Sequence, residues 1–321
     1  MNAPQRFVYP EMGELNVAND LLDDDAALQA AWDRDGYWFF RNVLDQTAIG
    51  RARQRFLDYL ANRDMIARGD AQAHHIGTVP EGWSDMVEDL ARLKLAQQEI
   101  MADDKVNAFF SRLFGCPPLW VPFSVYRASV PSADRKRSRF DMIHEDGTYS
   151  NGLPFLICWI PLAEIDADIG GLAVAEGLHH GPCLHKMDGI KILPIEDGVI
   201  PEHAWKRTTY RPGDVLLMDQ RTPHSGLANY SDRFRLSIDT RILPDRGDVP
   251  IVGTLTAFSL DGLTVRDRKG ETTLSLDDDS YCRGQFGNRI LRPDLAQEYR
   301  PGSEVILAHD GRRVICLRPQ H

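Results

Sequence analysis

Apolar positions in the first third of the chain recur at three- and four-residue spacing, the stripe a helix needs to bury one face. Residues 24 to 34 open on acids suited to a helix N-terminus, continue through Ala and Leu, and meet a breaker at Gly36. YWFF at 37–40 then reads as a strand. Residues 46 to 62 place Ile49, Ala52, Phe56 and Tyr59 on one stripe, and residues 84 to 114 continue a helix-like pattern that ends near Gly115.

From Leu119 the period shortens. WVPFSVYRA, FLICWIPL, GGLAVA, DVLLMD and FRLSIDTRI are short apolar or alternating runs separated by turns, which predicts a sandwich or barrel. PFLICWIPL is apolar on both faces, as a strand covered on both sides must be. FRLSIDTR alternates, with Phe234, Leu236 and Ile238 on one face and Arg235, Ser237 and Asp239 on the other. A Pro- and charge-rich stretch, 244–250, then separates residues 1–246 from 250–321. In that last part DG and KG sit where hairpins turn, which predicts a small β-barrel-like C-terminal appendage.

Composition narrows the class without choosing a function. With 43% hydrophobic and 26% charged residues among 321, the chain reads as an ordinary globular protein with a sizeable core. No run is long and apolar enough for a membrane span, and the N-terminus lacks an apolar signal core, so a cytoplasmic location is expected. Five scattered cysteines without CxxC spacing suit reduced thiols. A formal charge of −10 opposes binding to nucleic acid or to an anionic membrane, which leaves a small-molecule partner. Homo-oligomerisation stays open.

The chemistry concentrates in Ile143-His144-Glu145-Asp146-Gly147 and, far downstream, Pro223-His224-Ser225-Gly226. On or just after a strand, residues i and i+2 share a face, so His144 and Asp146 can converge while Glu145 turns away. His224 would complete two imidazoles and one carboxylate, the ligand set of non-heme iron(II) oxygenases, in which three coordination positions stay open. Arg235, eleven residues past His224, can set a planar fork against a carboxylate, and Ser237 on the same face can add a hydroxyl.

These pieces resemble the phytanoyl-CoA dioxygenase superfamily of double-stranded β-helix oxygenases. The matching segments are DRDGYWFFRNVL, HED at 144–146, CWIPL, IGGLAVAEGLHHG, RPGDVLLMD, PHSG and RFRLS, and in family order they cover roughly residues 30 to 245. The resemblance implies a mainly β fold with flanking helices, iron(II) on His144, Asp146 and His224, 2-oxoglutarate on Arg235, and dioxygen as second cosubstrate. It implies hydroxylation of a C–H bond with release of succinate and carbon dioxide. The carboxylate of Asp146 argues against halogenation, which needs that position free for halide. Two departures, Glu176-Gly177-Leu178-His179 where the family often has PGSH and the insertion 185–209, concern the substrate pocket.

Substrate candidates are the basic loop Arg135, Lys136, Arg137 and Arg139, which would favour an anionic substrate, and Tyr126 and Trp159, whose plainer reading is core. His179, His180, His185 and Cys183 lack the spacing of a zinc site. The rival functions are a cupin-type metalloenzyme that does not use 2-oxoglutarate and a non-catalytic binding module on the same barrel.

Overall fold

Helix α1 (Asp25–Asp35) starts where the Asp24 carboxylate accepts a hydrogen bond from the Ala27 N–H, and it stops at Gly36, whose φ of +78° is a left-handed turn. The chain passes directly into strand β1 (Tyr37–Phe40). Helix α2 (Gln46–Ala61) is capped by Asp45 and turns Ala48, Ile49, Ala52, Phe56 and Leu60 inward. The helical run expected over 84–114 is broken in the computed structural model, into Glu88–Arg92, a π-turn at Gln97–Met101 and helix α3 (Asp104–Phe114). Local chemistry explains the breaks. The Val87 N–H is spent on the Tyr126 carbonyl, and the Asp103 carboxylate accepts from Lys105 and Val106 to start a new helix.

The structure describes residues 12–77, 79–81, 83–131, 140–150, 152–188, 191–196, 198–284 and 288–320. The basic loop Arg135, Lys136, Arg137 and Arg139 lies outside them.

The strands expected after Leu119 form as β2 (Pro118–Ser129), β3 (Leu156–Pro161), β4 (Leu172–Ala175), β5 (Trp205–Arg207), β6 (Val215–Asp219), β7 (His224–Gly226) and β8 (Arg235–Pro244). One sheet has the order β1-β6-β3-β8-β2, and the other runs from the short edge strand Gly13–Glu14 through β5 and β4 to β7. Residues 140–144 join the second sheet through the bridges Phe140–Leu227 and His144–His224. From β2 onward the chain alternates between the two sheets except at β4 and β5, which pair with each other, an arrangement consistent with a double-stranded β-helix.

The larger sheet is buried on both faces, as the unbroken apolarity of β3 requires. Cys158, Ile160, Leu217, Leu236 and Ile238 pack against Phe56 and Phe110 of the helices, while Ile157, Trp159, Leu216 and Met218 fill the space toward the second sheet. Among the described residues no helix is long and apolar enough to cross a membrane.

Residues 251–319 form one seven-stranded sheet: β9 (Ile251–Ser259), β10 (Gly262–Asp267), β11 (Gly270–Ser275), β12 (Tyr281–Arg283), β13 (Arg289–Ile290), β14 (Glu304–His309) and β15 (Val314–Pro319). Its order is β11-β10-β9-β14-β15-β12-β13, and among the described residues no ladder joins β11 to β13. Ser275, at the end of β11, makes an isolated parallel bridge to Arg313, just before β15. One face of the sheet has its own core, and Ile306, Ala308 and Cys316 on the other face belong to the same hydrophobic cluster as Val121, Phe155 and Trp159 of the two facing sheets.

Candidate metal and cosubstrate site

His144 and His224 face each other across a single antiparallel bridge, each N–H donating to the other's carbonyl at 3.0 Å. Their ring centres lie 4.3 Å apart. The strand ends at His144, Glu145 stays extended, and Asp146 opens a 3-10 turn that is pinned by a 2.7 Å bond from the Gly147 N–H to the Gln220 carbonyl. The i, i+2 alternation therefore holds through the strand end. Glu145 turns away, its carboxylate accepting from the Leu184 N–H at 2.9 Å and its own N–H donating to His185 Nε2 at 2.9 Å.

One ligand atom from each of His144, Asp146 and His224 falls within 4.8 Å of the others. Both imidazoles are oriented by their own backbone. The Nδ1 of His144 lies 3.0 Å from the Met142 carbonyl and that of His224 lies 3.0 Å from the Thr222 carbonyl. If Nδ1 carries the proton in each ring, Nε2 keeps its lone pair for a metal. Burial, with repulsion from His144, presses the His224 imidazole down to about 3, so it is neutral at physiological pH, as a ligand must be. Burial alone would raise the Asp146 carboxyl, but the Arg241 charge and the two histidines outweigh it and hold the group well below the usual carboxylate range.

Arg241 is the residue that sequence reasoning left unassigned. It is 3% exposed, donates to the Asp146 carboxylate, pairs with Asp239 at 3.0 Å, and lies over Phe123 with 4.6 Å to the ring centre. It continues the polar face of β8 two residues past Asp239, next to a register shift against β2: Asp239 is opposite Val125, but Arg241 is opposite Val121. The alternation Arg235, Ser237, Asp239 signalled the face. Nothing local signalled the partner.

At the other end of that face Arg235 is also 3% exposed. It donates to the carbonyls of Leu227 and Gly171 and to Ser129 Oγ, and the half-exposed Asp141 carboxylate at 3.5 Å is its anionic partner. Burial lowers its pKa, and Asp141 only partly offsets the cost of the buried charge. Ser237 Oγ, fully buried on the same face, has no hydrogen-bond partner. A fixed guanidinium with an orphan hydroxyl one step along the strand suits an incoming carboxylate, and the imidazole–imidazole–carboxylate donor set suits iron(II). The residues present therefore fit both groups.

Residues 32–237 match the phytanoyl-CoA dioxygenase (PhyH) family. The chain belongs to this family. It is thus a 2-oxoglutarate-dependent non-heme iron oxygenase that uses iron(II), 2-oxoglutarate and dioxygen. The chain is similar to 1-deoxypentalenic acid 11-beta-hydroxylase of Streptomyces exfoliatus, 29% identical over 245 residues that cover 70% of this chain and 83% of the relative. The Streptomyces arenae protein of the same name matches with the same identity and coverage. Among solved structures, EctD from S. alaskensis with 2-oxoglutarate and 5-hydroxyectoine is 20% identical with a TM-score of 0.48, over 76% of this chain and 86% of that one. The epimerase SnoN with Fe3+, alpha ketoglutarate and nogalamycin RO is 21% identical with a TM-score of 0.43, over 69% of this chain and 85% of that one.

Within this PhyH chain two substrate candidates are displaced by the structure. Tyr126 lies on the opposite face of β2 from Ser129 and Arg127, its ring in the helix-side core and its hydroxyl accepting from the Ala96 N–H at 2.8 Å, so it cannot line the barrel. Trp159 does face inward but is 3% exposed and packed 4.7 Å from Tyr210, which makes it core. His179 and His180 stack on each other, while His185 is engaged by Glu145. The His144, Asp146 and His224 cluster is the one potential metal group among the described residues.

Proposed function

We propose that this protein hydroxylates an unactivated C–H of a small-molecule metabolite or natural product, with iron(II) on His144, Asp146 and His224 and 2-oxoglutarate held through Arg235 and Ser237. The observation that carries the reading is the convergence of those three ligand atoms on the barrel that also buries Arg235 and the unpartnered Ser237 hydroxyl. The named relatives support hydroxylation of a natural product, since 1-deoxypentalenic acid 11-beta-hydroxylase bears that activity in its name.

When bound, the iron would let dioxygen oxidise 2-oxoglutarate to succinate and carbon dioxide with one oxygen atom and hydroxylate the substrate C–H with the other. The chain's own residues do the positioning. Met142 and Thr222 carbonyls fix the two imidazoles, Arg241 orients the Asp146 carboxylate, and the Gly171 and Leu227 carbonyls lock the Arg235 fork. Beside Asp146 a cavity of ≈ 550 Å³ is lined by Glu145, Gly147, Thr148 and Gln220 together with Tyr281 and Arg289 of the C-terminal sheet, and we assign the substrate to it.

The test is anaerobic calorimetry with iron(II) and then 2-oxoglutarate, followed by succinate release in air. His144→Ala, Asp146→Ala and His224→Ala should lose metal binding and turnover, while Glu145→Ala keeps metal binding and loses far less turnover. Arg235→Ala should weaken 2-oxoglutarate by about ten- to a hundred-fold, the value of a charged hydrogen-bonded pair, and Arg235→Lys should recover part of that. Equal loss in Glu145→Ala and Asp146→Ala would overturn the ligand assignment, and unchanged 2-oxoglutarate affinity in both Arg235 variants would overturn the cosubstrate site.

A further inference from the structure

Strand β15 carries a buried cation to which the oxygenase reading assigns no task. Arg318 is 2% exposed, and its Nε and Nη1 have no hydrogen-bond partner. The residue stands opposite Ile306 in the β14–β15 ladder and shares a face with Cys316 and Ala308, the face packed into the oxygenase barrel. Its guanidinium lies 3.4 Å over the centre of the Phe123 ring, the same ring that Arg241 covers at 4.6 Å. Two cations thus share one aromatic ring beside a metal ligand.

Their circumstances differ. Arg241 is compensated by Asp146 and Asp239, whereas among the described residues Arg318 has no ion pair and its Nε and Nη1 no hydrogen-bond partner. Burial, with repulsion from Arg283 and Arg241, lowers the Arg318 guanidinium to about 9, so it remains charged at neutral pH. Buried charges persist when something pairs with them, and an unmatched one is costly to keep. The cation–π contact with Phe123 offsets part of that cost but leaves the N–H groups unmet.

We propose that Arg318, supplied by the C-terminal sheet, recognises a carboxylate of the substrate on the metal's far side from Arg235. The proposal rests on the oxygenase reading above and deepens it by naming a substrate class and the residue that selects it. A single excess cation lying over the Phe123 ring suits a monoanion with an apolar body better than a strongly hydrated dianion. The cosubstrate is a poor alternative occupant. Arg235 and Arg241 are six residues apart on β8, about 20 Å of strand, and Arg318 stands at the Arg241 end.

Calorimetry on the full chain, loaded anaerobically with iron(II) and 2-oxoglutarate, tests this with cyclohexanecarboxylate and its neutral counterpart cyclohexanecarboxamide. The wild type should prefer the carboxylate. Arg318→Met should lose about ten- to a hundred-fold of carboxylate affinity and bind the two probes alike, with Arg318→Lys between. Affinity for 2-oxoglutarate and the visible absorption of the iron–2-oxoglutarate complex should be unchanged in both variants. Without an anion Arg318→Met should melt no lower than wild type, since it removes an unmatched charge; with cyclohexanecarboxylate only the wild type should gain in Tm. The proposal is overturned if the wild type does not discriminate, if Arg318→Met binds carboxylate as well as wild type, if 2-oxoglutarate affinity falls in parallel, or if both variants melt lower and merely bind both probes less. Failure of the oxygenase reading has a separate sign, the absence of iron-dependent 2-oxoglutarate binding in the wild type, and the two probes can still be compared on the metal-free chain.

Discussion

A metal ligand works only as well as it is aimed, and at residue scale the orienting groups here come from unequal distances in sequence. Met142 and Thr222 lie two residues before the histidines they hold, so their role follows from local strand geometry. Arg241 lies 95 residues from Asp146 and meets it only through the packing of distant strands. Its removal should therefore loosen the metal without deleting a ligand. We expect Arg241→Met to weaken iron(II) binding by about 10- to 100-fold, as loss of an outer-shell partner does, and Arg241→Lys to restore part of it. Calorimetric metal titration with circular dichroism as a fold control checks this; an unaltered affinity in both variants would assign Arg241 to charge balance alone.

At the scale of elements the informative joint is the turn from α1 into β1. Gly36 has φ +78°, and a Cβ there would stand 2.5 Å from His179 Nδ1 and 2.8 Å from Thr222 Oγ1. The Thr222 hydroxyl donates to the Gly36 carbonyl at 2.8 Å, and the Thr222 carbonyl in turn braces His224. The helix stop is thus also a support for the proposed metal site. Gly36→Ala should cost on the order of 1–3 kcal/mol from the left-handed backbone alone, with further loss from the clash. Gly50→Ala, in exposed mid-helix with nothing within 4 Å of the new Cβ, should instead stabilise by about 0.5–1 kcal/mol. Thermal melts of the pair distinguish the two cases, and equal shifts would show that Gly36 is only a helix stop.

For the whole molecule the consequential packing is that of the C-terminal sheet on the barrel. Ile306, Ala308 and Cys316 complete a cluster begun by Val121, Phe155 and Trp159, and Arg283 donates to the carbonyl of Tyr149 just past Asp146. Lys94 adds an exposed ion pair to Glu304 at 2.7 Å, which contributes little by comparison. Ile306→Ala should therefore destabilise the whole chain by about 2–5 kcal/mol in a single transition. A chain ended after Arg246 should expose the barrel interior and lose its cooperative unfolding. Recovery of a monomeric 1–246 fragment with the full chain's Tm would show instead that the two parts are independent.

What the sequence determined by itself was whatever depends on local periodicity. Helices with Asp caps, strands of period two, the HxD pair at a strand end and an arginine at fixed spacing after the distal histidine all follow from steric rules acting within a few residues. The tertiary structure alone decided which faces close on each other. Tyr126 and Trp159 are both aromatic residues on barrel strands, yet sheet packing sends the first to the helices and the second to the barrel. The Arg241–Asp146 pair joins residues 95 apart, and the burial of Arg318 depends on the C-terminal sheet packing on the barrel. Long-range pairing of that kind leaves no mark in local pattern, because the free energy that selects it comes from burial shared between distant segments.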